Sequence, residues 1–156
     1  MRVERVSRAY LLGLPSLPGI SPDETELILD FVEHAGRLYH DFSINVPVGP
    51  GDTSTPSLGA AIDRMWEAIT RPRIDLVMRS YGATYIVEAK RHARFSAVTQ
   101  VCKYVERFRR EHQPTGRVYP IVLCRSHVRG LGDALISHNG ALVVQRFTER
   151  SAPVSA

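Results

Sequence analysis

Two apolar runs separated by a tight turn constrain the fold more than any other part of this sequence. Residues 73–80 read "RIDLVMRS" and residues 83–90 read "ATYIVEAK", with Tyr81 and Gly82 between them. Short apolar runs rich in β-branched residues, joined by two residues that include glycine, are typical of a β-hairpin. The sequence therefore predicts two adjacent antiparallel strands near the middle of the chain.

The segments on either side of the hairpin predict an α/β domain. A helix begins after Ser21, a favourable N-cap followed by Pro22, and ends at Gly36. The patterns further along the chain predict a strand over 38–46, a loop over 47–57, a short helix over 57–70, a helix over 96–112, a strand over 117–124, a helix over 128–139 and a last strand over 141–147. A hairpin followed by strand–helix–strand units predicts a mixed sheet with helices on both faces.

The length of 156 residues favours one domain. We predict an N-terminal arm over 1–20, a single domain over 21–147 and a flexible tail over 148–156. The net charge of +4 fits a polyanionic partner only weakly. The chain has no apolar run near 18 residues and no signal-peptide pattern, so we expect a cytoplasmic protein without a membrane partner. Cys102 and Cys124 lack metal-binding spacing and are expected to be small buried hydrophobes.

Three charged residues are predicted to converge at one end of the hairpin. Asp75 lies early in the first strand, while Glu88 and Lys90 lie two residues apart at the end of the second, hence on the same face. Two carboxylates buried together require a cation, and carboxylate oxygens suit Mg²⁺ or Mn²⁺. With a lysine to position water, this set can hydrolyse a phosphodiester. The alternative is a simple salt bridge at a strand end, which is common on any sheet.

The use of lysine draws attention to the same place. Only Lys90 and Lys103 are lysines, whereas the other eighteen basic residues are arginines. Lysine is a compact ammonium whose pKa moves with its surroundings, whereas arginine is a planar, permanently charged fork. A lysine at position 90 suggests a role next to a reacting water, although codon bias explains it equally simply.

The ordered set "RIDLV…YIVEAK" followed by "QVCKY" resembles the PD-(D/E)XK nucleases, with the Q-x-x-x-Y element of RecB-type members. Residues 72–147 are most similar to the nuclease module of the NucS/EndoMS endonucleases. The resemblance implies a restriction-endonuclease-like core in which Asp75, Glu88 and the Ala89 carbonyl bind Mg²⁺ or Mn²⁺. Ile74 departs from the usual proline before the acid, and no N-terminal DNA-binding domain is recognisable, so mismatch specificity is not implied.

The resemblance also implies supporting roles, each with a simpler alternative. Glu24 is a candidate additional metal ligand, but Ser21-x-x-Glu24 is also a capping box. Gln100 and Tyr104 are neighbours on one helix face and are candidates to orient the site or contact nucleic acid, or else to form the shoulder of a packed helix. Arg91 and Arg94 are candidate phosphate contacts, or residues of a solvated loop.

Four further residues are expected to have structural roles only. Arg107, Arg109 and Arg110 are expected to form the solvated face of a helix rather than to contact nucleic acid. Trp66 is expected to belong to the core rather than to stack on a base.

Three functions remain open at this point. The first is a metal-dependent endonuclease that cuts DNA. The second is a nuclease-fold module that binds nucleic acid or protein without cutting. The third is a nuclease subunit that works only in a larger complex, and a homodimer is also compatible with the sequence.

Overall fold

The computed structural model of the chain describes residues 3–53 and 56–145, so the predicted tail over 148–156 lies outside the described residues. The elements in chain order are helices α1 (Arg8–Leu12) and α2 (Pro22–Ala35), a 3-10 turn (Gly36–Leu38), strand β1 (Asp41–Pro47), helix α3 (Ala60–Thr70), strands β2 (Arg73–Ser80) and β3 (Ala83–Ala93), helix α4 (Phe95–His112), strand β4 (Arg117–His127), helix α5 (Leu131–Ile136) and strand β5 (Ala141–Val144). Among the described residues, every helix is too short or too polar to cross a bilayer.

The strands form one mixed sheet in the order β1-β2-β3-β4-β5. Strand β2 is antiparallel to both of its neighbours, β1 and β3, whereas β3 pairs with β4 and β4 with β5 in parallel. The turn between β2 and β3 falls at Tyr81 and Gly82, and the positive φ of Gly82 (71°) is a conformation that glycine adopts without strain. The predicted hairpin and α/β class are therefore confirmed.

Helices cover both faces of the sheet because side chains alternate along each strand. Helices α4 and α5 pack on one face, and α1 and α2 on the other. The core under α4 includes Val77, Ile86, Val101, Val105, Phe108 and Val122. The core under α2 includes Leu27, Ile28, Phe31, Leu76, Val87 and Leu123.

The N-terminal segment packs on the α2 face. Leu11 and Leu17 are fully or almost fully buried there, and Val6 pairs with Phe42 of β1 through two backbone hydrogen bonds. Helix α2 begins as expected, with the Ser21 hydroxyl accepting the Glu24 N–H and proline in the first turn. The contacts of the arm, together with the packing of α2 against the sheet, fix the position of the first turn of α2.

Two predicted boundaries were wrong for local reasons. A 3-10 turn over Gly36–Leu38 includes Leu38, the first residue of the strand predicted over 38–46, and β1 begins only at Asp41. The helix predicted over 128–139 is only Leu131–Ile136, because Gly130 and Asn139 on either side adopt positive φ (84° and 57°) that a right-handed helix cannot contain.

Helix α3 differs more seriously from expectation. Trp66 is 47% exposed, so the prediction that it belongs to the core was wrong. None of the residues of α3 is buried. The apolar stripe of α3, and an apolar residue two positions before the helix, are between 45% and 68% exposed: Leu58, Ile62, Met65, Trp66 and Ile69. The amphipathic pattern correctly predicted a helix, but no part of the described chain covers its apolar side.

Candidate active site

The end of the β2–β3 ladder forms the candidate site. Backbone pairing of the two strands reaches Leu76 opposite Val87. At the preceding residue of β2, a side chain takes the place of the backbone as partner of β3, because the Asp75 Oδ2 accepts the Ala89 N–H at 2.8 Å. This bond fixes a carboxylate between the two strands, next to the position of Glu88.

Glu88 and Lys90 lie on the face of β3 that carries Ile86, which is the α4 face. The Lys90 Nζ is 2.7 Å from the Glu88 Oε1, and the Glu88 side chain is only 1% exposed. The Lys90 side chain is 35% exposed, so its ammonium group reaches the surface from a buried partner. The convergence of Asp75, Glu88 and Lys90 expected from the hairpin register is present in the structure.

Glu24 approaches the same point from the first turn of α2. Its Oε1 lies 3.3 Å from the Lys90 Nζ, while its Oε2 accepts the Ser21 hydroxyl at 2.9 Å. The two interpretations of Glu24 are therefore compatible, since one carboxylate oxygen supports the helix start and the other faces the site. Glu26 and Glu33 point elsewhere and are exposed.

The site holds three carboxylates and a single ammonium, and this imbalance explains its pKa shifts. Burial, followed by the charge of Asp75, raises the pKa of Glu88 to about 7. Burial also raises the pKa of Asp75 to about 6, although the Ala89 N–H and Lys90 oppose the shift. Burial alone would lower the pKa of Lys90, but its bond to Glu88 and the surrounding carboxylates outweigh burial and raise it. Lys90 is thus an ammonium at neutral pH.

One oxygen of the site has no partner within the described chain. The Glu88 Oε2 is buried and accepts no hydrogen bond. A buried acceptor without a partner is costly, most of all on an ionised carboxylate, and a cation would relieve that cost. Oε2 is therefore the atom of this site whose surroundings call most clearly for a positive ligand.

The donor set suits a hard cation that retains water. Among the described residues, no group of three or more His, Cys, Asp or Glu side chains is arranged as a metal cage. Asp75 and Glu88 instead provide two carboxylates next to a strand backbone. Mg²⁺ is usually held by one or two carboxylates and keeps several waters, so these residues fit Mg²⁺ or Mn²⁺.

Gln100 and Tyr104 of α4 border the carboxylates. The Gln100 Nε2 donates to the Tyr104 Oη at 2.8 Å. Burial raises the pKa of Tyr104, and the charges of Glu88 and Asp75 add to the shift, which places the phenol within electrostatic range of the site. Tyr104 is also part of the core under α4, so it joins the helix packing to the site.

The two arginines expected to contact nucleic acid lie past Lys90 at the surface. Strand β3 continues to Ala93, so Arg91 belongs to a strand and not to the loop considered as an alternative. Arg91 is 78% exposed and lies 3.8 Å from Asp23. Arg94 is the N-cap residue of α4 and is exposed. Both side chains are free to reach solvent on the side of the site where the strands end.

Sequence reasoning missed contributions from three basic residues of α4. Arg109 donates to the Val118 carbonyl at 3.0 Å, so it fastens α4 to β4 rather than forming only a solvated face. Arg107 is half-buried and, together with Lys103, lies beside Gln100 and Tyr104 along a surface groove. The spacing of Lys103 and Arg107 from Gln100, three and seven residues, was the available signal, because it puts all three on one helix face.

No protein-family model and no curated protein matches this sequence. Three solved structures resemble it. EndoMS in its apo form aligns with a TM-score of 0.48 at 18% identity over 84% of this chain, and an EndoMS–double-stranded DNA complex with 0.49 at 17% over 88%. A repair endonuclease from Pyrococcus abyssi aligns with 0.47 at 17% over 84%. The chain spans about half the length of each, 49%, 51% and 49% respectively.

Proposed function

We propose that this chain is a divalent-metal-dependent nuclease that hydrolyses phosphodiester bonds of DNA with water. The observation that carries the proposal is the carboxylate pair of Glu88, which is buried, and Asp75, which is half-buried; their excess negative charge lies beside a lysine that is protonated at neutral pH. A purely structural ion pair needs one acid and one base, whereas this site has three acids around Lys90. The excess charge has a function if a divalent cation binds there.

Each residue then has a distinct task. Asp75, Glu88 and the Ala89 carbonyl would hold Mg²⁺ or Mn²⁺, and Glu24 would add a carboxylate from α2. When bound, the cation lowers the pKa of water and offsets charge on the phosphate. Lys90 remains protonated at neutral pH, so it acts by orienting water and stabilising negative charge on phosphate oxygens and not as a general base. Tyr104 and Gln100 orient the site from α4.

Cleavage of labelled DNA tests the proposal directly. Duplex, single-stranded and branched DNA, and RNA, are incubated with Mg²⁺, Mn²⁺ or EDTA. We expect metal-dependent cutting of DNA by the wild type and a fall in kcat of about 10²–10³ for Lys90→Ala, the range found when one charge-stabilising group is removed. Arg110→Ala, which also removes one exposed cation, serves as the control and should cut normally. Unchanged cutting by Lys90→Ala would refute the site assignment.

A nuclease that needs an assembled form is a second candidate, and α3 is the observation that favours it. A helix of eleven residues is marginal in water without tertiary packing, yet α3 buries none of its apolar stripe. A homodimer or a larger complex that covers this stripe would supply the missing packing. Light scattering together with the cleavage assay separates the cases, since a monomer that cuts needs no assembly.

A non-cutting binding module is expected to bind DNA and leave every substrate intact.

A further inference from the structure

A surface groove runs along α4 next to the candidate active site. It has a volume of about 430 Å³ and lies between the exposed side of α4 and the residue that precedes β2. The residues that line it are Pro72, Ser96, Thr99, Gln100, Lys103, Tyr104 and Arg107. Tyr104 lines this groove and is also within electrostatic range of Glu88, Asp75 and Lys90, so the groove lies beside the candidate site.

The lining has the chemistry of a phosphate contact surface. Phosphate oxygens of nucleic acids are bound by Lys and Arg and by the hydroxyl and amide groups of Ser, Thr, Gln and Tyr. All lining residues except Pro72 are of these types, and none is acidic. Thr99 donates weakly to the Phe95 carbonyl at 3.5 Å, a bond that a better acceptor would replace. The groove therefore carries two positive charges and suits an anionic ligand.

The structure holds one of these cations in place. Arg107 packs over Gly49, where a Cβ would come within 2.9 Å of the arginine Cδ, and the positive φ of Gly49 (72°) also favours glycine. The nearby carboxylate of Glu111 is engaged elsewhere, since it accepts the Gly49 N–H and pairs with Arg71 at 3.3 Å. Lys103 is exposed and unconstrained by comparison, so it can follow a ligand along the groove.

We infer that this groove binds the backbone of one nucleic-acid strand on its way to or from the cleaved bond, an inference that rests on the proposed function. From Gln100 to Arg107 the helix advances about 10 Å. That length corresponds to about three nucleotide steps at the rise of about 3.4 Å per nucleotide of one strand. The second lysine of the chain, Lys103, thus contacts the strand at a distance from the chemistry, whereas Lys90 acts at the cleaved bond.

Binding measured without cleavage tests the inference. Fluorescence anisotropy of a labelled single-stranded oligonucleotide, and of the matching duplex, is recorded in EDTA over a series of salt concentrations. Lys103→Ala should weaken binding roughly three- to tenfold and reduce the salt slope by about one, because one phosphate contact is lost. Lys103→Arg keeps the charge and should retain the slope. Arg110→Ala removes a cation from α4 outside the groove and should leave the slope unchanged.

The kinetics provide an independent readout. Lys103→Ala should raise KM and leave kcat unchanged, whereas Lys90→Ala lowers kcat. Equal effects of Lys103→Ala and Arg110→Ala on the salt slope would overturn the groove while leaving the nuclease intact. A wild type that cuts nothing and binds no oligonucleotide would overturn both proposals, and a wild type that binds through Lys103 without cutting would overturn the nuclease and leave the groove as a strand-binding surface alone.

Discussion

Strand β2 carries a partly buried cluster of charged side chains at each end, and the two clusters differ in the balance of acids and bases. Near the end of β2, Arg79 donates to the Asp41 Oδ1 at 2.8 Å and to the Ser43 Oγ at 3.0 Å. The second Asp41 oxygen is 2.9 Å from His40 and 3.6 Å from Arg5. Each carboxylate oxygen of Asp41 therefore has a donor, and the basic side chains of this cluster outnumber its single acid.

The cluster near the start of β2 has the opposite composition. Asp75, Glu88 and Glu24 surround Lys90, and the Glu88 Oε2 has no partner within the described chain. Both clusters are partly buried at the same sheet, each around one buried residue (Arg79 and Glu88), so burial alone does not distinguish a structural site from a functional one. The comparison indicates that charge without a partner, rather than burial, marks a functional site, because such charge does not stabilise the fold unless a ligand balances it.

The largest expected effect concerns the balanced cluster, which is the group around Arg79 and Asp41. Arg79→Met should lower the free energy of unfolding by about 3 kcal/mol, because it leaves Asp41 half-buried without its main partner. Urea denaturation followed by circular dichroism measures the loss. Arg5→Met removes the 62% exposed partner of the same carboxylate and should cost well under 1 kcal/mol. A loss below 1 kcal/mol for Arg79→Met would show that this cluster does not stabilise the fold.

The unbalanced cluster should respond instead to divalent cations. Mg²⁺ or Mn²⁺ at about a hundred times its dissociation constant should raise the free energy of unfolding by about 2.7 kcal/mol, because the ion binds the folded chain only. Thermal unfolding with and without EDTA measures the gain. Glu88→Gln should abolish it, while Arg79→Met should keep it despite lower stability. An equal gain in wild type and Glu88→Gln would place the cation elsewhere on the chain.

Sequence reasoning found the unbalanced cluster and missed the balanced one because the strands that form them are separated by very different lengths of chain. The register of β2 and β3 is fixed by the turn at Tyr81–Gly82, so the approach of Asp75 to Glu88 follows from local pattern alone. The pairing of Asp41 with Arg79 depends instead on the register of β1 and β2, which are separated by 25 residues that contain α3. No local signal in the sequence fixes that register.

Helices α2 and α3 show that the sequence predicted where helices form but not whether their apolar stripes are buried. Both have an apolar stripe at helical spacing, and both form helices. The stripe of α2 is buried against the sheet, whereas Trp66 and its neighbours on α3 are exposed. Periodicity records that one side of a helix is apolar, but the element that covers this side is decided by tertiary packing or by a partner.

A further expected effect is the pH dependence of the unbalanced cluster without metal. The folded chain holds the pKa of Asp75 at about 6 and of Glu88 at about 7, above the values near 4 of unfolded carboxyls. Between these limits the folded state binds more protons than the unfolded state, so stability should fall as pH rises from about 4 to 7. Glu88→Gln should flatten this fall and, in EDTA at pH 8, be more stable than wild type, because the amide carries no charge to bury.

Urea titrations in EDTA at pH 5 and pH 8 measure this change, with Glu26→Gln as a control at an exposed carboxylate. If Glu88→Gln loses stability at pH 8, the bond to Lys90 outweighs the burial of charge, and Glu88 belongs to a structural ion pair like that of Arg79. If it gains stability there while losing the response to cations, the folded chain tolerates an unfavourable carboxylate that only a bound ion makes favourable. That combination is the one property that a structural salt bridge at the end of a strand cannot produce.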